Sequence, residues 1–539
     1  MFSNHSDPTN AMENNLMDSE VLCIFDTRHI QRYIFRTDSM TEAIGGSDLI
    51  NHILQDAIRY SLSHIVPSIG ADECDFSDDP YGDIPYFKNK RIKVQQIVCT
   101  AGNAMLLFRS GALAQKVIRK VSRYYLEHGY NLDMASAAVE YTGNFADDCF
   151  RLFNKLNAIK SSSETLEPMG ALPIVEREAA TGEPVVGYDE KSGEPISEST
   201  RIKRQEAQKR NDMLAFSDIN TTRIGDGKAY RAVIHADGNN MGITISKALQ
   251  AASCYEEAIR LERLFSRSIS ESIATVMDRT MAELEALYRT TTGNTGGFER
   301  EFMIVHRAGD DINCVCNIRW AFLFVELFYK NLKNCHIRLF DASKELAAGH
   351  SGNPAIPPSI PLYVCAGIAI VAEDHDFHSA FDLAEECCAS AKKSAKKEKN
   401  LRNGFAGNWI DYHVAEGTKQ QELELLRERF YVTKEQVSLL LRPYCLDSEA
   451  SGQIDDYNML KRKIEQVKSL HLTDLQKAVL RQSYQIGTKA FNHWISRTRM
   501  GGTDLVALLG EPIYRDGENN KHATWFDAVE LAEVMGMLA

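Results

Sequence analysis

Apolar residues in this chain gather in short runs that stop at acidic or glycine-bearing tips. Ala232-Val233-Ile234-His235-Ala236 runs into Asp237-Gly238-Asn239-Asn240-Met241-Gly242. Phe302-Met303-Ile304-Val305 leads to Ala308-Gly309-Asp310-Asp311, and Ile312 through Ile318 leaves it with a broken apolar alternation. Runs of this length bounded by turn residues predict strands. The pair around Gly309 predicts a hairpin, because glycine supplies the positive φ that such turns often need. Leu362 to Ile370 predicts a buried strand, and Ala380 to Lys397 a helix. Leu261, Phe265, Ile269, Ile273 and Val276 recur at helical spacing and predict a long inserted helix whose stripe is core.

The pattern occurs twice. Val21-Leu22-Cys23-Ile24-Phe25-Asp26 mirrors the strand that ends at Asp237. Gln95 to Cys99, then Ala101-Gly102-Asn103-Ala104, then Met105 to Phe108 mirrors the hairpin. Aligning Ala101-Gly102 with Ala308-Gly309 puts Asn103 and Ala104 where Asp310 and Asp311 stand. Asp26 to Asn103 is 77 residues and Asp237 to Asp310 is 73. Two copies of one fold are therefore expected, of which only the second keeps an acidic tip. The expected division is a disordered tail over 1–19, a first domain over 20–160 with helices at Asp48–Ser61 and Ala112–Glu127, and a connector over 161–228. A second domain over 229–415 and a mostly helical C-terminal domain over 416–539 follow. In the connector, Thr181-Gly182-Glu183-Pro184 and Gly193-Glu194-Pro195 are turn signals that predict a small hairpin.

Asp-Asp at a hairpin tip, with Asp237 on a neighbouring strand, brings three carboxylates together. That donor set suits hard divalent ions that also hold nucleotide phosphates. Gly-Asp-Asp alone is ordinary turn chemistry. Two adjacent carboxylates repel each other, however, unless a cation is present. Lys392, at the end of the helix expected beside the hairpin, suits a triphosphate as a point charge, and Lys396 stands one turn further on. Gly45-Gly46-Ser47, just ahead of Leu49, is expected to open a helix. Its N–H groups and the Ser47 hydroxyl then either meet phosphate or ribose or make an ordinary cap.

This order of strand, acidic hairpin, strand and Ala-Lys helix resembles the palm of nucleotide polymerases and cyclases. More specifically, the chain resembles the large polymerase-palm subunit of type III CRISPR effector complexes, the family with a GGDD hairpin. Asp237-Gly238-Asn239-Asn240-Met241-Gly242 is similar to that family's strand end. Ile30 to Phe35 with Gly45-Gly46-Ser47 is similar to its inactive palm, and Trp525 to Leu531 to its terminal segment. The resemblance implies an α+β fold of two ferredoxin-like palm domains plus a helical C-terminal domain. It implies nucleotidyl transfer at Asp237, Asp310 and Asp311, which would hold Mg²⁺ or Mn²⁺. Gly45, Gly46, Ser47, Gly238, Asn240, Gly309, Lys392 and Lys396 would bind nucleotide. ATP is the implied substrate and a cyclic di- or oligoadenylate second messenger the product. Implied partners are other CRISPR-type subunits with RNA, or an effector switched on by the product, and oligomerisation stays open. A non-catalytic nucleotide-binding subunit or sensor is the alternative.

The chain departs from that family at several points. No HD nuclease domain is expected ahead of the first copy, and His375-Asp376 reads as a loop pair. No cysteine occurs between Cys149 and Cys254, so the family's four-cysteine zinc module has no ligands here. Asn239 stands where the family has Asp, which removes a potential charge near the metals, and Ala308 replaces the first hairpin glycine.

Charge and composition narrow the class further. A net charge of −13 argues against non-specific nucleic-acid binding over the whole surface. Arg201–Arg210 then reads as a solvated helix face. No apolar run reaches the roughly 18 residues of a membrane span, and nothing at the N-terminus resembles a signal peptide. Twelve cysteines lack paired metal spacing, and Cys314, Cys316, Cys387 and Cys388 in a predicted strand and helix read as reduced, buried thiols, so a cytoplasmic protein is expected.

Overall fold

The structure is a computed structural model. It describes residues 16–534 except 66–70, 163–173, 190–191, 210–213, 225–226, 240, 334, 340–355, 398–399, 403–404, 416–421, 448–455, 498–512, 516–519 and 533.

The first sheet is built from β1 (Val21–Arg28), α1 (Met40–Ile65), β2 (Val94–Thr100), β3 (Asn103–Phe108), α2 (Gly111–His128) and β4 (Asp133–Glu140), followed by α3 (Phe145–Ser162). Its strand order is β2-β3-β1-β4, with Cys74–Asp75 added at the β2 edge. After the connector helix α4 (Glu198–Ala207), the second sheet repeats the plan. It uses β5 (Ala229–Gly238), α5 (Met241–Gln250), α6 (Tyr255–Thr292), β6 (Phe302–Ala308), β7 (Asp311–Asn317), α7 (Ile318–Leu332), β8 (Val364–Ala372) and α8 (Phe377–Ala395). Its order is β6-β7-β5-β8, extended by β9 (Trp409–Val414) and β10 (Tyr444–Cys445). A βαββαβ chain with its last strand beside its first is the ferredoxin-like topology. The protein is α+β, with two such palm domains and a helical region after them.

Register carries the duplication to single residues. Asp26 pairs with Asn103 across β1 and β3, and Ala236 with Ile312 across β5 and β7. Each hairpin also carries a bulge at the same place, at Ile97 in β2 and at Val305 in β6. Hairpin closure corrects the sequence alignment by one residue. Thr100 pairs with Asn103, and Ala308 with Asp311. Asn103 therefore matches Asp311, and Gly102, not Asn103, matches Asp310. The slip arises because positive φ falls on different turn positions, at Gly102 (φ 86°) in one hairpin and Gly309 (φ 60°) in the other. Matching glycine to glycine misplaces the tip.

The sheets share a core. Val21, Phe25, Ile44 and Leu106 of the first unit lie in one buried cluster with Val233, Val305, Val371 and Phe381 of the second. Phe35 stacks on Phe381 with ring centroids 3.4 Å apart. The long insertion α6 buries the stripe from Leu261 to Val276. It also reaches the first sheet at the bulge, where the Arg263 guanidinium donates to Ile97 O (3.0 Å) and Gln96 O (2.6 Å). Bulges leave carbonyls without strand partners, and here a buried arginine satisfies them.

Three further expectations change. Helix α1 begins at Met40, so Gly45, Gly46 and Ser47 lie inside it and open nothing. Their smallness serves packing instead: a Cβ on Gly45 would lie 1.8 Å from Lys203 O of α4. The Arg201–Arg210 run is not a solvated face over its described length. Lys203 is fully buried and donates to Tyr33 O, and burial pushes its ammonium down to about 8. Arg204 pairs with Glu42 and Asp189, at 2.9 Å each. Residues 1–15 of the expected tail lie outside the described residues, while 16–19 pack on α2, with Gly111 N donating to Ser19 O (3.0 Å).

The connector forms a two-stranded hairpin, Val185–Tyr188 with Pro195–Ser197. The C-terminal region contains α9 (Tyr457–Ser469), α10 (Asp474–Ile486), α11 (Thr488–Arg497) and the buried α12 (Phe526–Ala532). Asp527 of α12 accepts from Leu441 N (2.9 Å), Arg442 N (3.1 Å) and the Tyr444 hydroxyl (2.7 Å), which ties this region to β10. Among the described residues no helix is long and apolar enough to cross a membrane.

Strand β8 touches α8 through Gly367, where a Cβ would lie 2.0 Å from Ala384 O and 2.3 Å from Cys388 N. Both neighbours are helix backbone and cannot swing aside. Gly367→Ala should lower stability by about 3 kcal/mol, measured by denaturant unfolding against the wild type.

Candidate active site

The second sheet gathers its acidic residues at one end. Strand β5 ends at Asp237-Gly238, and the β6–β7 turn places Asp310 and Asp311 alongside. Gly238 is small for a reason: a Cβ there would lie 2.1 Å from Asp310 Oδ2. The Asp310 carboxylate thus rests on the strand backbone. Helix α8 delivers the Lys392 ammonium onto Asp237 Oδ2, and Glu385 of the same helix adds to the local negative field.

Crowding alters these groups. Burial, then the charges of Asp237, Asp310 and Glu385, pushes the Asp311 carboxyl up to about 8. Burial and the charge of Asp237 raise Asp310 as well. Burial opposes the charge on Lys392, but attraction to Asp237 outweighs it and leaves the ammonium more basic than usual. The Asp311 oxygens are held from two sides. Asn313 Nδ2 donates to Oδ1 at 3.0 Å, and Gln31 Nε2 of the first unit donates to Oδ2. His235 Nδ1 lies 2.7 Å from Asn313 Oδ1. His306 Nε2 stands 3.7 Å from Asp311 Oδ2, and its Nδ1 is 2.7 Å from Ser47 Oγ. Burial lowers both histidines, His306 to about 4, so both are neutral at pH 7.

Asp237, Gly238, Gly309, Asp310, Asp311 and Lys392 therefore meet at one place. Lys396 is exposed at the end of α8. Gly45 and Gly46 face α4. Ser47 is buried against His306 rather than open to a phosphate. Asn240 lies outside the described residues. Asn239 is not beside the carboxylates: it is buried, and its Nδ2 donates to Gly407 O (2.9 Å) and Cys365 Sγ (2.8 Å). His375-Asp376 is a helix start, with Asp376 accepting from Ser379 N at 2.7 Å.

Sequence reasoning missed Gln31, His235, His306, Asn313 and Glu385. The available signal was polar residues inside otherwise apolar strands. It also missed Lys160, whose ammonium lies 2.5 Å from Asp26 Oδ2. Lys160 stands as far past the start of α3 as Lys392 does past the start of α8. The aspartate–lysine pair survives in both copies.

Donor chemistry fits a divalent cation. The oxygens are hard, partly desolvated and mutually repelling. As the side chains stand, no three His, Cys, Asp or Glu among the described residues form a ready-made metal cluster; the cation paired with Asp237 is Lys392.

Two ferredoxin-like sheets, one with carboxylates at a strand end and hairpin tip, define a palm-domain protein of the polymerase and cyclase class. Residues 230–402 match the family model of Cas10/Cmr2, second palm domain. Over these residues the chain is similar to that palm domain. No curated protein matches it. Among solved structures, it is similar to a chain of the Csm1-Csm4 cassette in complex with pppApA, at 13% identity and a TM-score of 0.48, over 96% of this chain and 70% of that one. For the cassette in complex with cA4 the values are 12% and 0.47, over 98% and 72%. For the Csm1-Csm4 subcomplex in the type III-A CRISPR-Csm interference complex they are 14% and 0.47, over 97% and 71%.

Two tests follow from this geometry. Between about pH 4 and pH 8 native Asp311 holds a proton that the unfolded chain releases, so it contributes stability at low pH that is lost as pH rises. In divalent-free buffer, Asp311→Asn should melt higher than wild type at pH 8, and the gain should vanish toward pH 4. Asn239→Asp removes two donated hydrogen bonds and buries a carboxylate. It should cost roughly 3 kcal/mol in denaturant unfolding.

Proposed function

We propose that the chain is a nucleotidyltransferase that joins ATP into a cyclic di- or oligoadenylate messenger used in antiviral defence. The observation that carries this reading is the contrast between the copies. Three carboxylates crowd the end of the second sheet, whereas Gly102 and Asn103 replace two of them in the first. Crowded carboxylates destabilise a fold unless a cation joins them, so their presence in one copy alone argues for a use. The family match over 230–402 supports the same chemistry.

In this reading Asp237, Asp310 and Asp311 would hold Mg²⁺ or Mn²⁺, which would supply positive charge for the attacking hydroxyl and the departing pyrophosphate. The chain's own residues do the rest. Gly238 lets Asp310 lie against the strand, and Gly309 lets the tip turn. Lys392, leaving Asp237, neutralises the triphosphate. A ribose hydroxyl oxygen bonds to the α-phosphorus of the next nucleotide, the phosphorus–oxygen bond to pyrophosphate breaks, and the hydroxyl proton passes to solvent. The first palm, over residues 20–160, presents the second nucleotide beside its Asp26–Lys160 pair. Residues 161–228 connect it to the catalytic palm over 229–415, and residues 416–539 either dock on CRISPR-type subunits with RNA or form a plain packed bundle, in which case the product itself switches on an effector. Such a protein works in the cytoplasm.

The grip of Lys392 on Asp237 favours a second reading, a subunit that binds nucleotide without turning it over. Labelled ATP, GTP, CTP and UTP, each with Mg²⁺ or Mn²⁺, separate the two by chromatography and mass spectrometry. The expected result is a cyclic adenylate product that falls below detection in Asp310→Ala/Asp311→Ala. Bound nucleotide without product under either metal would favour the second reading, and loss of binding as well would remove both.

A further inference from the structure

The duplication supplies a control inside one chain. In the first sheet Ile24, Met105 and Val98 lie side by side across β1, β3 and β2. The matching row across β5, β7 and β6 is His235, Asn313 and His306. Ile24 and Met105 are buried, and Val98 packs against the same core. Their counterparts are buried too, with Asn313 at 0% exposure and His306 at 2%. Fold alone is therefore satisfied by three apolar residues at these positions. Burying two imidazoles and an amide costs free energy unless their hydrogen bonds are made.

Those hydrogen bonds lead to one place. Asn313 donates one hydrogen bond from Nδ2 to Asp311 Oδ1, which leaves its Oδ1 to accept from His235 Nδ1. His306 meets Ser47 through Nδ1 at 2.7 Å, and its Nε2 stands 3.7 Å from Asp311 Oδ2. Ser47 and Gln31 both come from the first palm, and Gln31 touches Asp311 directly. Gln31 Oε1 is buried with no hydrogen-bond partner among the described residues. That is a cost accepted for the contact its Nε2 makes.

We propose that His235, Asn313 and His306, together with Ser47 and Gln31 of the first palm, are positioning residues that fix the orientation of the Asp311 carboxylate. The degenerate palm is then a working part of the acidic centre and not only a platform beside it. The idea deepens the synthase reading, and it predicts losses in turnover and cation binding without a matching loss in substrate binding. A carboxylate free to rotate still lets nucleotide dock but presents its oxygens wrongly to a cation.

The test uses the full chain and three variants. Asn313→Met installs the residue of the first copy. Gln31→Ala removes the contact from the first palm, at a half-buried position with little core to disturb. Met105→Leu, in the first sheet, controls for core repacking. Turnover and KM for ATP are measured, with Mn²⁺ binding to the nucleotide-free protein by electron paramagnetic resonance and thermal unfolding alongside. Asn313→Met and Gln31→Ala should each lower kcat and Mn²⁺ affinity by about 10- to 100-fold. KM should stay within about threefold, Gln31→Ala should keep the wild-type melting temperature, and Met105→Leu should change neither turnover nor Mn²⁺ binding. If the wild type makes no product, the synthase reading fails, and Mn²⁺ affinity alone decides the positioning layer. Unchanged Mn²⁺ affinity in both variants, or no Mn²⁺ binding by the wild type, overturns it.

Discussion

Like charges in a pocket partly shut off from water raise one another's proton affinity and push the backbone that carries them apart. Asp310 and Asp311 live under that constraint beside the charge of Asp237, and much around them answers it. A lysine from α8 sits on one carboxylate, the β5 backbone makes room for the second, and amide donors from both palms hold the third. Removing the charges would leave these neighbours without a shared purpose. The first copy shows that outcome, with apolar residues in the row beneath its hairpin.

The rest of the fold keeps that end of the sheet still. Sheet extension through β9 and β10 runs into a polar bolt in which Asp527, Arg442 and Glu530 are buried together, and Arg442 lies 3.9 Å from the Tyr412 ring centroid. Buried ions of this kind specify arrangement more than they add stability. On the other side, Glu42, Glu178, Glu183 and Lys203 are also buried, joining the connector to the first palm through Arg36 and Arg204. The connector, which carries no cysteine, is thus fastened by ion pairs.

What sequence could reveal followed the range of each signal. Short apolar runs and turn glycines are local, so the strands, both hairpins, the long α6 stripe and the acidic tip were legible. Gly45 and Gly46 looked like a helix boundary because glycine usually marks one; only the close approach of α4 explains them inside α1. The one-residue slip at Gly102 came from matching glycines whose φ values serve different turn positions. Asn239 looked like a lost charge near the metals because the resembled family has Asp there; only the fold shows its side chain turned to Gly407 and Cys365. The row under Asp311 was hidden most deeply, since His235, Asn313 and His306 meet only through strand pairing.

That row also makes the loss in the first copy hard to undo. Writing Asp-Asp back into Gly102 and Asn103 would place two carboxylates above Ile24, Met105 and Val98, which offer no donor, and Gly102 would have to give up its positive φ. Each single reversal would be worse than none, because charge without its supports destabilises and polar supports without the charge go unpaired. With aliphatic side chains where the other copy has donors, the two halves are built for different work.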